Sequence, residues 1–477
     1  MSDVVTSIHS GLKFLWLSLL AFGLSMACSS SEESPAYLEL SSTNMDLLAE
    51  ASQTIVMVKA TGNWQLSSTL EWVEVSPSSG TGNAQVNLKT LANSGTAARK
   101  GELIITSGSL SKTLYINQDG RDYPDYYSPP NKEGMREITS LDMASQLGIG
   151  WNLGNSLEAI GGETAWGNPR VSPAMIAAVK AAGFSTVRIP VAWSRFTNAS
   201  QYTIDPAWMA RVEEVVGYVL DQEMNVILNM HWDGGWMQPT FAEQAEVNKR
   251  LEKMWIQIAL HFRDYNDQLL FAGSNEVMVE GDYSTPKAEN ITVQNGFNQT
   301  FVNAIRSTGG RNTYRHLLVQ AYNTNIDYAV AHLQLPEDTT EDRLMVEVHY
   351  YDPYEFALKE TNEVLQWGKN ATDSKQTAGW GEEEHAIHQF KKLKQTYVDK
   401  GVPVIIGEFG AIAKLDNSAH HEFRTYYIET IVQQMLNHDL VPIYWDNGHT
   451  GNYGFGLFDR DQAKTLYPAM IYSLTKH

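Results

Sequence analysis

Two glutamates in this chain follow strongly apolar runs, and both are of a type that could do acid–base or nucleophilic chemistry. Glu276 comes just after Leu269-Leu270-Phe271-Ala272-Gly273, and Glu408 just after Val402-Pro403-Val404-Ile405-Ile406. Other apolar runs end in the same manner: in Trp151-Asn152, Arg188, His231-Trp232, Asn275, His349-Tyr350-Tyr351 and Trp445-Asp446-Asn447. Taken singly, each residue has a plain structural reading. A lone Glu is often a helix N-terminal or solvated charge, a lone His a satisfied structural side chain, Trp445 barrel core, and Arg188 a partner for any buried acid. Taken together, paired carboxylates flanked by indole rings suit cleavage of a glycosidic bond. One carboxyl must be protonated to donate to the leaving oxygen, and the other ionised to attack the anomeric carbon. A separation of about 5–5.5 Å would mean retention through a covalent glycosyl-enzyme. Arg188 beside Glu408, with a tyrosine hydroxyl, is expected to hold that carboxyl ionised. Glu276 is expected to have the raised pKa, increased further by the nearby Glu408.

Such residues converge only if the runs are strands of one closed sheet. From about Met135 onward, eight apolar runs alternate with amphipathic stretches, beginning near Ile149, Thr186, Val226, Leu269, Leu317, Leu344, Val402 and Val441. Helices are expected over Pro173–Ala182, Pro206–Gln222, Ala245–Tyr265, Glu384–Asp399 and Phe423–His438. Buried parallel strands read as continuous apolar runs, and the helices between them supply the crossovers. The pattern predicts an α/β fold, a (β/α)8 TIM barrel, whose chemistry lies at the C-terminal ends of the strands. A doubly wound sheet is the structural rival, but Gly150-Trp151-Asn152-Leu153-Gly154 does not supply its glycine-rich phosphate turn.

Composition narrows the partners. Over 477 residues, Lys+Arg 35 against Asp+Glu 55 gives a net charge of −20, which argues against nucleic acid. A single cysteine excludes a disulfide framework and a cysteine-rich metal site. Neither metal nor cofactor is expected. The acidic balance favours a neutral polymer or small molecule as ligand, thirteen Trp and 22 Tyr are a high aromatic load, and a monomer is the expected state.

The N-terminal third reads differently. Phe14 to Phe22 is an apolar run too short to span a membrane, and Leu24-Ser25-Met26-Ala27-Cys28 follows it. This resembles a bacterial lipoprotein signal in which Cys28 becomes the lipidated first residue, with Ser25 standing where leucine is usual. Residues 1–34 are therefore expected to be a signal and tether leading to an outer-membrane or cell-surface lipoprotein. Ordinary cleavage and full secretion is the alternative. Residues 35–120 carry short β-branched runs such as Thr54–Val58, Gln85–Leu88, Glu102–Thr106 and Thr113–Ile116, separated by turn signals, and predict a small all-β immunoglobulin-like sandwich. Residues 121–134, with three Pro, read as a semi-rigid linker, and 135–477 as the barrel.

WQLSSTLEWVEVSPSSGTG (Trp64 to Gly82), RKGELIITSG (Arg99 to Gly108) and INQDG (Ile116 to Gly120) resemble the BACON domain of Bacteroidetes glycan-acting proteins. Such modules are either carbohydrate binders or spacers; Trp64 and Trp72 are either core residues or sugar platforms. The barrel half resembles glycoside hydrolase family 5 of clan A. GWNLGN (Gly150 to Asn155), ETAWGNP (Glu163 to Pro169), AAGFSTVRIPVAW (Ala181 to Trp193), NMHWD (Asn229 to Asp233), SNE (Ser274 to Glu276), HYYDP (His349 to Pro353), GEFG (Gly407 to Gly410) and WDNG (Trp445 to Gly448) fall in its order. They look like the subfamily of endoglucanases, xyloglucanases and lichenases.

The resemblance implies a retaining endo-β-1,4-glycan hydrolase acting on plant cell-wall β-glucan, with Glu276 as acid/base and Glu408 as nucleophile. Arg188 and Tyr351 would contact the nucleophile, and His231 and Asn275 the sugar hydroxyls. His349 would stand near the cleavage point, and Trp445 would be the platform there. Trp232 and Asn152 complete the substrate-binding set. The chain departs from the family's Phe-Glu-x-x-Asn-Glu-Pro at Ala272, which removes an inner acid, and at Val277, which removes a rigid turn.

Two rival classes are a non-catalytic glycan-binding lipoprotein and a metal-dependent barrel hydrolase. The intact glutamate pair opposes the first, and the lack of His-Glu-x-x-His or a first-strand His-x-His opposes the second. Trp166, Trp193, Trp236, Trp367 and Trp380 fall in or near mouth-side loops, as do insertions Tyr354–Gly381 and Val279–Val293. Cellulosic glucan, mixed-linkage glucan and xyloglucan are the candidate substrates, with xylan or mannan as alternatives.

Overall fold

The structure is a computed structural model that describes residues 35–47, 49, 51–93, 97–120, 126–198, 201–231 and 234–477. Cys28 and Trp232 lie outside the described residues. The described residues divide into two compact units, 35–120 and 126–477.

In the first unit two sheets face each other across an apolar core. One sheet orders Leu38–Leu40, Ser52–Ala60, Ala84–Thr90 and Val73–Ser76; the other orders Asn44–Leu47, Leu110–Gln118, Arg99–Ser107, Asn63–Ser67 and Ser79–Thr81. Alternation sends Val56, Val58, Val86, Leu88, Leu103, Ile105, Leu114 and Ile116 inward. Trp64 is buried in that core, its indole N–H donating to the Gly82 carbonyl at 3.0 Å. Trp72 packs on the core under the Arg99 guanidinium, 4.4 Å from the ring centroid. Trp64 is thus a core residue, whereas Trp72 is half-buried at the edge of the core.

The second unit begins earlier than the sequence suggests. Residues 126–134, expected within the linker, run against the barrel: Ser128 N–H donates to the Thr308 carbonyl, and the Gly310 and Asn131 amides extend the pairing. The Tyr126 carbonyl accepts from Arg263 at 2.9 Å.

Eight parallel strands then close into a barrel, in chain order: β1 Gly150–Asn152, β2 Thr186–Ile189, β3 Asn225–Asn229, β4 Leu269–Ala272, β5 Leu317–Gln320, β6 Leu344–Tyr350, β7 Val404–Phe409 and β8 Val441–Tyr444. Closure removes the doubly wound alternative. The helices start where their caps dictate. Ser172 accepts from the Met175 amide before Pro173, and Asp205 from the Ala207 amide before Pro206. The expected helices appear at Pro173–Ala181, Pro206–Leu220, Gln244–His261, Glu383–Thr396 and His420–Asn437. The insertion expected over 279–293 is shorter, because its last residues already belong to helix Ala288–Ser307.

The barrel interior is layered. Its lower layer is apolar, with Ile227, Leu270, Ala272, Leu318, Met345, Ile405 and Ile443 packed on Met143 and Leu147 of a plugging helix, Ser140–Leu147. Removing one large side chain from such a layer costs about 2–5 kcal/mol. Two residues further along β3, β5 and β6 the inward positions turn polar, as Asn229, Gln320 and Glu347, and with Asn152 of β1 and Arg188 of β2 they are fully buried. This sealed lower layer is the floor on which the polar one stands.

Candidate active site

Arg188 organises the polar layer from the centre. Its Nη1 donates to Glu408 Oε1 and to Asn152 Oδ1, each at 2.9 Å, and its Nη2 donates to Asn275 Oδ1 at 2.5 Å. The guanidinium fork thus ties β1, β2, β7 and the end of β4 together. Asn152 turns its amide toward the Gly407 and Tyr444 carbonyls, so it supports Arg188 from below and does not face the cleft. Tyr351 donates its hydroxyl to Glu408 Oε2 at 3.1 Å, giving that nearly buried carboxylate a donor on each oxygen.

Glu276 is 40% exposed, its carboxylate opening to the mouth. Its backbone has φ +48°, a left-handed conformation that a side-chain-bearing residue adopts at a cost. No proline follows, yet the turn is held: Val277 is buried and its carbonyl accepts from the Asn323 amide at 2.9 Å. One carboxylate oxygen of Glu276, one of Glu408 and one ring nitrogen of His349 all lie within 4.8 Å of one another. The two carboxylates converge on one space.

His349 is brought there by a register shift between β6 and β7, after which it sits opposite Glu408. Its Nδ1 is 2.8 Å from Glu276 Oε1 and 3.7 Å from Glu408 Oε2, and its Nε2 is 3.4 Å from Glu347. Burial works against the cation. The charge of Glu408 and the hydrogen bonds to Glu276 and Glu347 outweigh it, and raise the imidazole to about 9. This reverses the expected order of the two carboxyls, in which Arg188 would favour the ionised Glu408 and Glu276 would be the raised one. Burial pushes the Glu276 carboxyl up, but the His349 hydrogen bond and charge hold it below the ordinary value. Glu408 is raised by burial against the pull of His349 and Arg188. His349 and Glu276 thus share one hydrogen bond, in which the surrounding carboxylates favour the proton on the imidazole.

His231 receives Asn229 Nδ2 at 3.1 Å on Nδ1, and Asn275 Nδ2 lies 3.5 Å from its Nε2. Burial, with Arg188 and His349 nearby, keeps its imidazole well below the ordinary histidine value, so it is neutral. Its ring lies parallel to Trp445, 7° apart in plane and 5.9 Å between centroids. Gly154 makes room for that indole, since a Cβ there would come within 2.7 Å of the Asp446 carbonyl and 3.0 Å of the Trp445 ring.

The other tryptophans separate. Trp166 and Trp380 are exposed, 47% and 41%, whereas Trp193 and Trp367 are core residues and Trp236 lies under Arg250.

Sequence reasoning passed over Glu347 and the Asp446–Arg460 pair. Arg460 Nη2 meets Asp446 Oδ1 at 3.0 Å while Nη1 donates to the Gly154 carbonyl, clamping the loops after β1 and β8. The signal for Glu347 was present: a charge inside an apolar strand, at the same parity as His349.

The cellulase profile, glycosyl hydrolase family 5, matches residues 152–451, and the BACON profile, a putative N-terminal binding domain, matches residues 62–119. The xyloglucan-specific endo-beta-1,4-glucanase of Bacteroides ovatus is 39% identical, across 94% of this chain and 93% of its own. The structure of a Bacteroides ovatus GH5 xyloglucanase in complex with a XXXG heptasaccharide superposes with TM-score 0.71 at 38% identity, covering 92% of this chain and 99% of that one. A GH5-4 broad-specificity endoglucanase from Bacteroides salanitronis gives TM-score 0.68 at 37% identity, over 72% of this chain and 95% of that one. The chain belongs to glycosyl hydrolase family 5, is a retaining glycoside hydrolase of that family, and carries a BACON domain ahead of its catalytic barrel.

Proposed function

We propose that the protein cuts β-1,4-glucan backbones internally, xyloglucan among them, with Glu408 as nucleophile and Glu276 as acid/base. The observation that carries the roles is the asymmetry of the pair. Glu408 is buried and fixed by donors from Arg188 and Tyr351, whereas Glu276 is open to the cleft and hydrogen-bonded to the His349 imidazole. A nucleophile needs to be aimed; an acid needs a proton and access to the leaving oxygen.

In the first step Glu408 Oε attacks the anomeric carbon as the bond to the leaving oxygen breaks. Glu276 gives a proton to that oxygen and takes one from His349 Nδ1. As Glu408 becomes a neutral ester, the negative charge that raised His349 is lost, which favours this transfer. In the second step water attacks the same carbon and releases Glu408. The proton from water passes to Glu276 and back to His349.

His231 and Asn275 would meet sugar hydroxyls, and Trp445 the apolar face of a ring beside the cleavage point. Trp166 and Trp380 suit further sugar units along an open mouth. Xyloglucan is supported by the Bacteroides ovatus enzyme, which this chain matches from end to end, BACON region included. We further infer that Cys28 is lipidated and tethers the enzyme at the cell surface, on the strength of the Leu24–Cys28 stretch and its acidic tether. Labelled palmitate incorporated by the wild type and not by Cys28→Ala tests that part.

The activity is tested by product release from xyloglucan, β-glucan, soluble cellulose, xylan and mannan. Release of oligosaccharides from xyloglucan by the wild type, and none by Glu408→Ala, is expected. Turnover by Glu408→Ala at wild-type rate without an added nucleophile would remove the assignment.

A further inference from the structure

Both nitrogens of His349 face carboxylates: Nδ1 faces Glu276 and Glu408, and Nε2 faces Glu347. A neutral imidazole has one donor and one acceptor nitrogen, so in this cage its acceptor lone pair would face a carboxylate. Either the ring carries both protons or Glu276 carries one and donates it to Nδ1, and the three carboxylates around the ring favour the first arrangement. Glu347 is the unusual member of the cage, because it is fully buried and touches neither the cleft nor the reacting groups. Its Oε1 also lies 2.9 Å from Arg188 Nε, on the side of the guanidinium away from Glu408. The Gln320 side chain is its further hydrogen-bonding neighbour. Burying a carboxylate in a sealed layer is expensive for stability alone. β7 has nonetheless cleared space for it, since a Cβ on Gly407 would lie 2.1 Å from Glu347 Oε1.

We propose that Glu347 is a positioning residue: it holds Arg188 from behind so that the guanidinium stays aimed at Glu408, and it keeps His349 doubly protonated as the store of the proton that Glu276 delivers. The charges bearing on His349 are Glu276 from the end of β4, Glu408 from β7, Glu347 on its own strand and Arg188 from β2, with neutral His231 from β3 and the Tyr351 hydroxyl nearby. Among these Glu347 alone bonds to Nε2. Position 272 on β4, a buried alanine, offers no second acid to this layer. The inference rests on the acid/base reading of Glu276 given above.

The test is nitrogen NMR of the 15N-histidine-labelled full chain, with His349 assigned by the signal lost in His349→Asn, together with kcat/KM on xyloglucan across pH. In the wild type His349 is expected to be doubly protonated at pH 8. Glu347→Gln is expected to lower both its titration and the alkaline limb of kcat/KM by about one pH unit or more, with kcat falling more than KM changes. Glu347→Asp, which keeps the charge, should retain the wild-type limb. A folded Glu347→Gln with an unmoved limb and an unmoved histidine signal would overturn the proposal. So would a Glu347→Asp limb displaced as far as that of Glu347→Gln. Should Glu347→Gln fail to fold, the wild-type spectrum decides, because a singly protonated His349 at pH 8 overturns it. The histidine signal does not depend on which glutamate attacks. A failure here is therefore distinct from a failure of the catalytic assignment, which Glu408→Ala reports.

Discussion

His349 Nδ1 stands 2.8 Å from Glu276 Oε1, and the same nitrogen is 3.7 Å from Glu408 Oε2. One imidazole therefore bridges the two carboxylates, close to the acid and within reach of the nucleophile's charge. The proton needed for the leaving group and the charge needed for attack are set by a single neighbour.

Removing the acid should separate substrates by leaving group. Glu276→Ala is expected to slow xyloglucan cleavage by about 10²–10⁴-fold. It should spare the glycosylation step on an activated aryl glycoside, whose leaving group needs no proton. Burst kinetics on both substrates measures this, and equal losses would count against the acid role.

The bridge also predicts a pH dependence of stability. His349 is raised from 6.5 to about 9 in the folded chain, so its contribution to stability is complete below about 6.5 and disappears as pH rises through about 9. Thermal midpoints of the wild type should fall across that window, and those of His349→Asn should fall less steeply. Parallel curves for the two proteins would show that the imidazole does not carry the charge described.

Arg188 neutralises a buried surround that contains both Glu347 and Glu408. Arg188→Ala is expected to lower the unfolding free energy by about 3–5 kcal/mol, because it leaves buried carboxylates uncompensated. Urea denaturation at pH 7 checks it. A loss below about 1 kcal/mol would mean that the layer admits water or another cation.

Gly154→Ala should act on the platform and leave the acid in place. The new methyl meets the Asp446 carbonyl and the Trp445 ring at 2.7 and 3.0 Å, so the indole or the loop must shift. KM for xyloglucan is expected to rise several-fold, with the alkaline limb of the pH profile unmoved. An unchanged KM would mean that Trp445 does not bear on substrate as described.

The barrel was legible in the sequence because parallel strands buried on both faces must be apolar, and their ends must change character where they reach solvent. Glu276, Glu408, Arg188, His349 and Tyr351 all stand at such changes, and the structure brings them together. The proton's resting place was not legible. It depends on the register shift that puts His349 opposite Glu408, which no local spacing encodes. Glu347 was visible as a charge in an apolar strand, but its role was hidden for a related reason. Inside Val346-Glu347-Val348 it reads as part of a strand, and only barrel closure reveals Arg188 and His349 as its neighbours. Residues 126–134 were misplaced because proline content suggests a spacer, while their backbone pairing with Thr308 and Gly310 is a long-range feature.

The most direct measurement is covalent trapping with a 2-fluoro cello-oligosaccharide bearing an activated leaving group, followed by peptide mass mapping. The account predicts one sugar per chain, attached to the carboxylate of Glu408. A label on Glu276, or no label from an enzyme that consumes the reagent, would contradict it.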